Sequence, residues 1–292
     1  MHHRSISERI ADNLNVFILA IVAVIMIFPF FYIFAVSFST LSDFLQNEFF
    51  LWPKRWVTDA YEYILSSENF IRSLGISTFV TIVGTLINLF FTSTMAYALS
   101  RPIAGQRFFL FFVLFTVLFN AGMIPTYLIV KETGLIDSVW SLIIPIAISP
   151  FYLIVMRQFF KNVPDDIHEA ALIDGANELQ IFWKIMIPLS KPALAAFGLF
   201  YAVMHWNNYF TGILYINDPA KWPVQVVLRQ IVVVNEPNAA LGTASELLMD
   251  NPPPPETIQM AAILLATLPI LIVYPFLQKH FAKGVLLGSV KG

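Results

Sequence analysis

Apolar and polar positions alternate along this chain in long blocks. Six blocks, residues 16–36, 74–99, 108–130, 138–156, 192–217 and 257–278, contain no Asp, Glu, Lys or Arg. Each is long enough to cross a hydrocarbon layer of about 30 Å as a helix. The pattern predicts an all-α polytopic membrane protein with six transmembrane helices in one domain, residues 1–292. A secretory signal is the alternative for the first block. Its apolar core would be roughly 7–15 residues long and end at a small-residue cleavage site, and neither holds here.

Within the blocks, polar residues mark what faces protein. The second carries Ser77, Thr81, Gly84, Thr85, Asn88, Thr92 and Thr94, which suit close helix contacts and predict a span inside the bundle. Pro145 and Pro150 predict a bend in the fourth. The fifth carries His205, Trp206, Asn207, Asn208 and Tyr209 in succession. Trp206, Asn207 and Asn208 are candidates for a sugar-permeable path, with amides bonding hydroxyls and an aromatic face stacking on a ring. Interhelical packing is the equal alternative for them. For Asn88 and Asn120, packing is the preferred reading over the path. Outside the blocks, Trp52, Trp56, Tyr61 and Tyr63 suit a headgroup layer. Residues 218–256 form a long loop ending in the stiff run Pro252–Pro255.

Charge adds topology. Six spans put both termini on one side, with eleven of the 17 Lys and Arg residues on that side and six on the other. The excess predicts cytoplasmic termini. Overall charge is sparse, 12% against about 25% in soluble domains. A formal charge of −2 without a basic patch gives no reason to expect a nucleic-acid partner. No cysteine is present, so thiol chemistry and disulfides are excluded. The five histidines have no metal-ligand spacing, and no GxxxxGK[ST] loop exists to hold ATP phosphates. Spans without acids or bases also argue against an ion-coupled carrier. No catalytic residue, cofactor site or metal site is assigned.

One polar interruption, residues 163–188, still has helical character. Asn162 is placed to cap a helix that begins with Pro164, Asp165 and Asp166 and carries an apolar stripe of Ile167, Ala170 and Ala171. Gly175 suits a left-handed stop, and Asn177 with Gln180 suits a capping box for a second helix. An interfacial connector helix is the plainer alternative. Glu169-Ala170-Ala171, then Asp174-Gly175, then Ile185 and Pro188, resembles the EAA loop of ABC importer permeases. Ile187 stands where that family usually has leucine.

The resemblance extends over nearly the whole chain. It is greatest to the shorter permease subunit of maltose-type carbohydrate importers. The C-terminal residues 274–279 and 288–292 are similar to that subunit in the branch for complex or acidic oligosaccharides, such as those from alginate or pectin. It implies a type I ABC importer permease fold in a bacterial cytoplasmic (inner) membrane, surrounded by lipid. It implies a second permease subunit, two cytoplasmic ATPase subunits that bind the ATP and Mg, and an extracytoplasmic sugar-binding protein. By the same resemblance, Glu169, Ala170, Ala171, Asp174, Gly175, Ile185 and Pro188 couple the bundle to the ATPase. The tail would reach the ATPase interface, and residues 218–256 match by position the loop that enters the binding protein. A permease for a non-sugar solute and a membrane-embedded enzyme remain the alternative readings.

Overall fold

The computed structural model describes residues 6–46, 52–235, 240–241 and 253–289. Regular structure among them is helical: α1 (Ile6–Ser37), α2 (Leu41–Gln46), α3 (Asp59–Ser66), α4 (Glu68–Ser100), α5 (Gln106–Leu118), α6 (Met123–Glu132), α7 (Pro150–Lys161), α8 (Asp165–Ile173), α9 (Glu178–Ile181), α10 (Ile187–Leu189), α11 (Lys191–Trp206), α12 (Phe210–Tyr215), α13 (Val224–Arg229) and α14 (Pro255–Ser289). The chain forms two compact units, residues 1–68 with 228–267, and residues 69–227 with 268–292.

In the first unit, α1 exposes nearly every large apolar side chain from Ile10 to Phe31. Its last turn meets an aromatic group in which Phe38 stacks on Tyr61 at 4.6 Å and Trp56 lies 5.4 Å from Phe38. Beside it Arg55 pairs with Asp43 at 3.2 Å and holds that carboxyl below its usual range. The proline run does not stay extended. Pro252 lies outside the described residues, and Pro255 is the first residue of α14, a position where a missing N–H costs nothing. Residues 279–289, expected as a basic tail, continue α14.

In the second unit, α4 is amphipathic in the sense a bilayer requires. Ser73, Ser77, Val80, Gly84, Asn88 and Thr92 recur every three to four residues on its buried stripe. Phe79, Ile82, Leu86 and Phe90 point outward. Within this chain the helix therefore buries one stripe and leaves the other face open. On α5, only Val113 is buried while Phe108, Phe111, Phe112 and Phe115 are exposed, so lipid is its solvent.

Three helices, α1, α4 and the first part of α14, are long and apolar enough to cross a membrane. The count rises to six if each of three bent pairs is one span. The expected uninterrupted span over 108–130 is broken. Helices α5 and α6 diverge by 120°, with Gly122 at φ +88° between them. Pro125 denies a donor to the preceding turn, and Asn120 Oδ1 accepts the freed Gly122 N–H at 2.9 Å. The span over 138–156 starts as 3-10 turns, Val139–Leu142 and Ile144–Ile146, and bends by 51° into α7, where Pro150 is the first helical residue. The span over 192–217 stops at Trp206 and resumes as α12.

Two layers of hydrogen bonds fill the break ahead of α7. Asn88 Nδ2 donates to the Ile146 carbonyl at 2.5 Å, and His205 Nε2 meets Asn88 Oδ1 at 2.6 Å. A carbonyl only accepts, so the Asn88 amide orientation is settled and His205 donates from Nε2. One turn along α4, Ser149 N–H donates to the Tyr201 hydroxyl at 3.3 Å, which bonds Thr92 Oγ1 at 2.8 Å. Gly84 makes the first layer possible: a Cβ there would lie 2.5 Å from His205 Nε2.

Gly84→Ala must displace a ring already bound to Asn88, an overpacking cost of about 1–3 kcal/mol. A new Cβ at Gly75, on the same helix, meets nothing within 4 Å. Thermal unfolding of the purified protein in detergent should show a lowered midpoint for Gly84→Ala and an unchanged or raised one for Gly75→Ala.

Candidate functional site

The polar interruption folds as helix, elbow and helix. Asn162 does not cap α8; it closes α7, with its N–H bonded to the Gln158 carbonyl at 3.1 Å. Pro164, in extended backbone, precedes α8, and Asp165 and Asp166 fill the first turn, where the helix dipole favours negative charge. At the other end, Gly175 N–H bonds the Leu172 carbonyl at 3.0 Å and Ala176 N–H bonds the Ala171 carbonyl at 2.9 Å. With Gly175 at φ +84°, this is a complete Schellman stop. One residue later Asn177 and Gln180 exchange side-chain and backbone bonds at 2.9 and 3.0 Å, a closed capping box for α9. Two consecutive caps leave the elbow little conformational freedom.

After α9 the turn widens over Phe182–Met186, with Ile187 N–H reaching back five residues to the Phe182 carbonyl. Pro188 follows, so Lys184 has no N–H to receive in ordinary helical register. Such π-turns are frequent at functional sites. The segment Glu178–Leu189 then meets α11 at an 80° bend.

Side chains of the elbow separate into two sets. Ala171, 7% exposed, packs into a cluster with Ile181, Phe182 and Met186, and Ile185 packs partly against it. Glu169, Ala170, Asp174, Gly175 and Pro188 are exposed. The expected stripe of Ile167, Ala170 and Ala171 is thus divided, with Ala171 inward and the other two outward. Two large aliphatic residues not singled out from the sequence stand in the open, Ile173 at 86% and Leu179 at 69%.

Beneath the elbow lies a set of residues that pattern reading missed. The Tyr97 hydroxyl, on the last turns of α4, donates to Glu178 Oε2 at 2.6 Å. His168 Nε2 of α8 meets the same carboxylate at 3.1 Å. Arg101 lies over the Tyr97 ring at 5.6 Å and pairs with Asp165 at 3.2 Å. The donated Tyr97 hydroxyl, with His168 second, holds the Glu178 carboxyl below its usual value of 4.5. A cavity of about 470 Å³ adjoins them, lined in part by Thr94, Ile103 and Leu179. Tyr97 sits on the last turn of α4 and Arg101 directly follows that helix. Their partners lie 81 and 64 residues away and leave no local signal.

The five candidates for a translocation path do not form one site. Trp206 is buried and lines an apolar cavity of about 190 Å³ with Thr78, Thr81, Val203, Pro269 and Val273. Asn207 is exposed and bonds the Val203 carbonyl, and Asn208 Oδ1 accepts from Thr211 N–H at the start of α12. Asn88 and Asn120 each satisfy backbone at a helix break. Among the described residues no three His, Asp or Glu side chains gather to hold a metal ion.

Comparison with known proteins fits this arrangement. The family model described as "Binding-protein-dependent transport system inner membrane component" matches residues 1–287. Protein LplC of Bacillus subtilis is 50% identical over 291 residues, covering 99% of this chain and 98% of that protein. The polygalacturonan/rhamnogalacturonan transport system permease protein YtcP of the same organism is 51% identical over 286 residues, covering 98% and 99%. A chain from the crystal structure of a bacterial ABC transporter involved in the import of the acidic polysaccharide alginate superposes with a TM-score of 0.89 at 38% identity, covering 96% of this chain and 100% of that one. With an all-helical bundle, lipid-facing surfaces and this elbow, the chain belongs to the family of inner membrane components of binding-protein-dependent transport systems.

Proposed function

We propose that this chain is a permease subunit of an ATP-driven importer of oligosaccharides that carry uronates, and that α8 couples it to a separate ATPase. The observation that carries the coupling is the doubly capped elbow with Ile173 displayed on it. A helix pinned at its C-terminal end by a Schellman stop, and followed at once by a capped helix, passes displacement on with little give, and an exposed aliphatic side chain supplies a contact that excludes water. ATP and Mg belong to two ATPase subunits on the side of the termini, where Lys and Arg are concentrated. A second permease subunit completes the path, and an extracytoplasmic binding protein delivers the sugar. Acidic cargo is supported by the relatives, one named for polygalacturonan and rhamnogalacturonan transport and one for alginate import. Of the polar candidates, we assign Asn207 and Asn208, at the break of the fifth span, to contacts with sugar hydroxyls. Asn88, Asn120 and Trp206 serve the fold.

The chain has no cysteine, so single-cysteine crosslinking is clean. In the assembled transporter, Ile173→Cys should crosslink to an ATPase subunit, whereas inward-facing Ala171→Cys should react poorly. Crosslinks from Ile173→Cys to lipid alone would remove the coupling assignment.

Nothing lies within 4 Å of a Cβ built on Gly175, so a substitution there is opposed by backbone conformation alone. A side chain in the left-handed region costs about 1–2 kcal/mol, least for asparagine. Gly175→Val should lower sugar uptake tenfold or more in proteoliposomes while Gly175→Asn retains most of it. Equal uptake by all three proteins would contradict the elbow's role.

The binding protein that serves this permease should bind a trigalacturonate at least tenfold more tightly than a neutral trisaccharide. Calorimetry that shows the reverse order would reject the acidic-cargo reading.

A further inference from the structure

The chain joins the elbow directly to α11 through the π-turn, but α4 reaches the same place only through space. We propose that α4 also receives the coupling stroke, through the hydrogen bond from Tyr97 to Glu178, so that Tyr97 is a positioning residue of the transport cycle. This rests on the coupling reading above and extends it to a span that the elbow does not adjoin in sequence.

Three observations carry it. First, the bond is a hydroxyl on a carboxylate at 2.6 Å, the short, charge-assisted kind that is roughly twice as strong as a neutral one. The alternative tie, Arg101 to Asp165, has its acceptor 83% exposed against 58% for Glu178, so solvent and salt screen it more. The tyrosine bond is therefore the joint.

Second, both of its ends are fixed. The Tyr97 ring sits in the core, edge-on to Phe160 of α7 at 5.9 Å and beside Phe182 of the π-turn at 5.2 Å. Glu178 is the first residue of α9, directly after the N-cap Asn177 and inside the capping box, and its carboxylate also meets His168 of α8. One carboxylate thus gathers α4, α8 and α9.

Third, α4 has somewhere to send the displacement. Thr92 and Asn88, farther up the same helix, hold the Tyr201 and His205 side chains of α11 and the backbone of the break ahead of α7. A contiguous path becomes a coupling path only when its links are energetically linked, so the test measures that linkage.

The complete transporter, with its ATPases and sugar-loaded binding protein, is reconstituted in proteoliposomes, and sugar uptake per ATP hydrolysed is measured. Tyr97→Phe keeps the ring and removes the hydroxyl. It should lower that ratio at least threefold, while the Ile173→Cys crosslink to the ATPase still forms in the Tyr97→Phe background. Glu178→Ala should do the same, and the double variant should be no worse than either single one. Glu178→Gln, whose amide oxygen still accepts from Tyr97, should recover at least half of the ratio lost in Glu178→Ala. A wild-type ratio in Tyr97→Phe, or losses that multiply in the double variant, would overturn the proposal. Should Tyr97→Phe fail to assemble, a wild-type ratio in Glu178→Ala would overturn it equally, and a threefold fall there with Glu178→Gln recovery would support it. A crosslink that forms beside an unchanged ratio defeats this inference alone. A crosslink that never forms in the wild-type background defeats the coupling reading on which it stands.

Discussion

A peptide group inside a bilayer has no water to bond, so each interruption of a spanning helix has to be satisfied by the protein. That constraint explains why α4 and α11 are built as they are. The interruption ahead of α7 presents the Ile146 carbonyl and the Ser149 N–H, and each is met by a polar layer made from one residue of α4 and one of α11. Interhelical bonds in membranes are worth only about 0.6 kcal/mol on average. An unpaired backbone group in hydrocarbon costs several kcal/mol. The layers matter chiefly for what they prevent, and Gly84 matters because only its bare backbone admits the His205 ring.

The same economy of local and distant bonds shapes the coupling end. Schellman stop, capping box and π-turn are all short-range devices, and together they fix the chain's course from α8 toward α11. Tertiary packing then decides which face of α8 remains available. Ala171 turns inward to the cluster under the elbow, and Ile173 is left outside. An open aliphatic face is left because the core covers one side of a helix that is apolar on two.

What the residues disclose on their own follows from range. The apolar blocks are legible because lipid selects composition directly, and the elbow is legible because each of its caps spans three to five residues. The interruption in the third span is harder to see. Asn120, Gly122 and Pro125 all signal it, yet they lie inside an uncharged block that hydropathy treats as continuous. Periodicity placed Ile167, Ala170 and Ala171 on one stripe but carries no information on which part neighbours will cover. The junction of Tyr97 with Glu178 joins positions 81 residues apart, so it exists only after folding. Asn162 shows a different failure. A good capping residue was already occupied in closing the preceding helix.

The spans of the described bundle carry no formal charge between their ends, since Arg72, Lys131, Arg157 and Lys191 all sit near helix termini. A conformational cycle that moves only neutral groups through the membrane moves no gating charge. Its rate is then indifferent to membrane voltage, apart from the cargo. If the cargo is the uronate-bearing sugar proposed above, it enters a cell that is negative inside against the electrical force, at about 2.3 kcal/mol per charge for each 100 mV. On the proposed reading, each added carboxylate on the oligosaccharide adds to the work that the partner ATPases must supply.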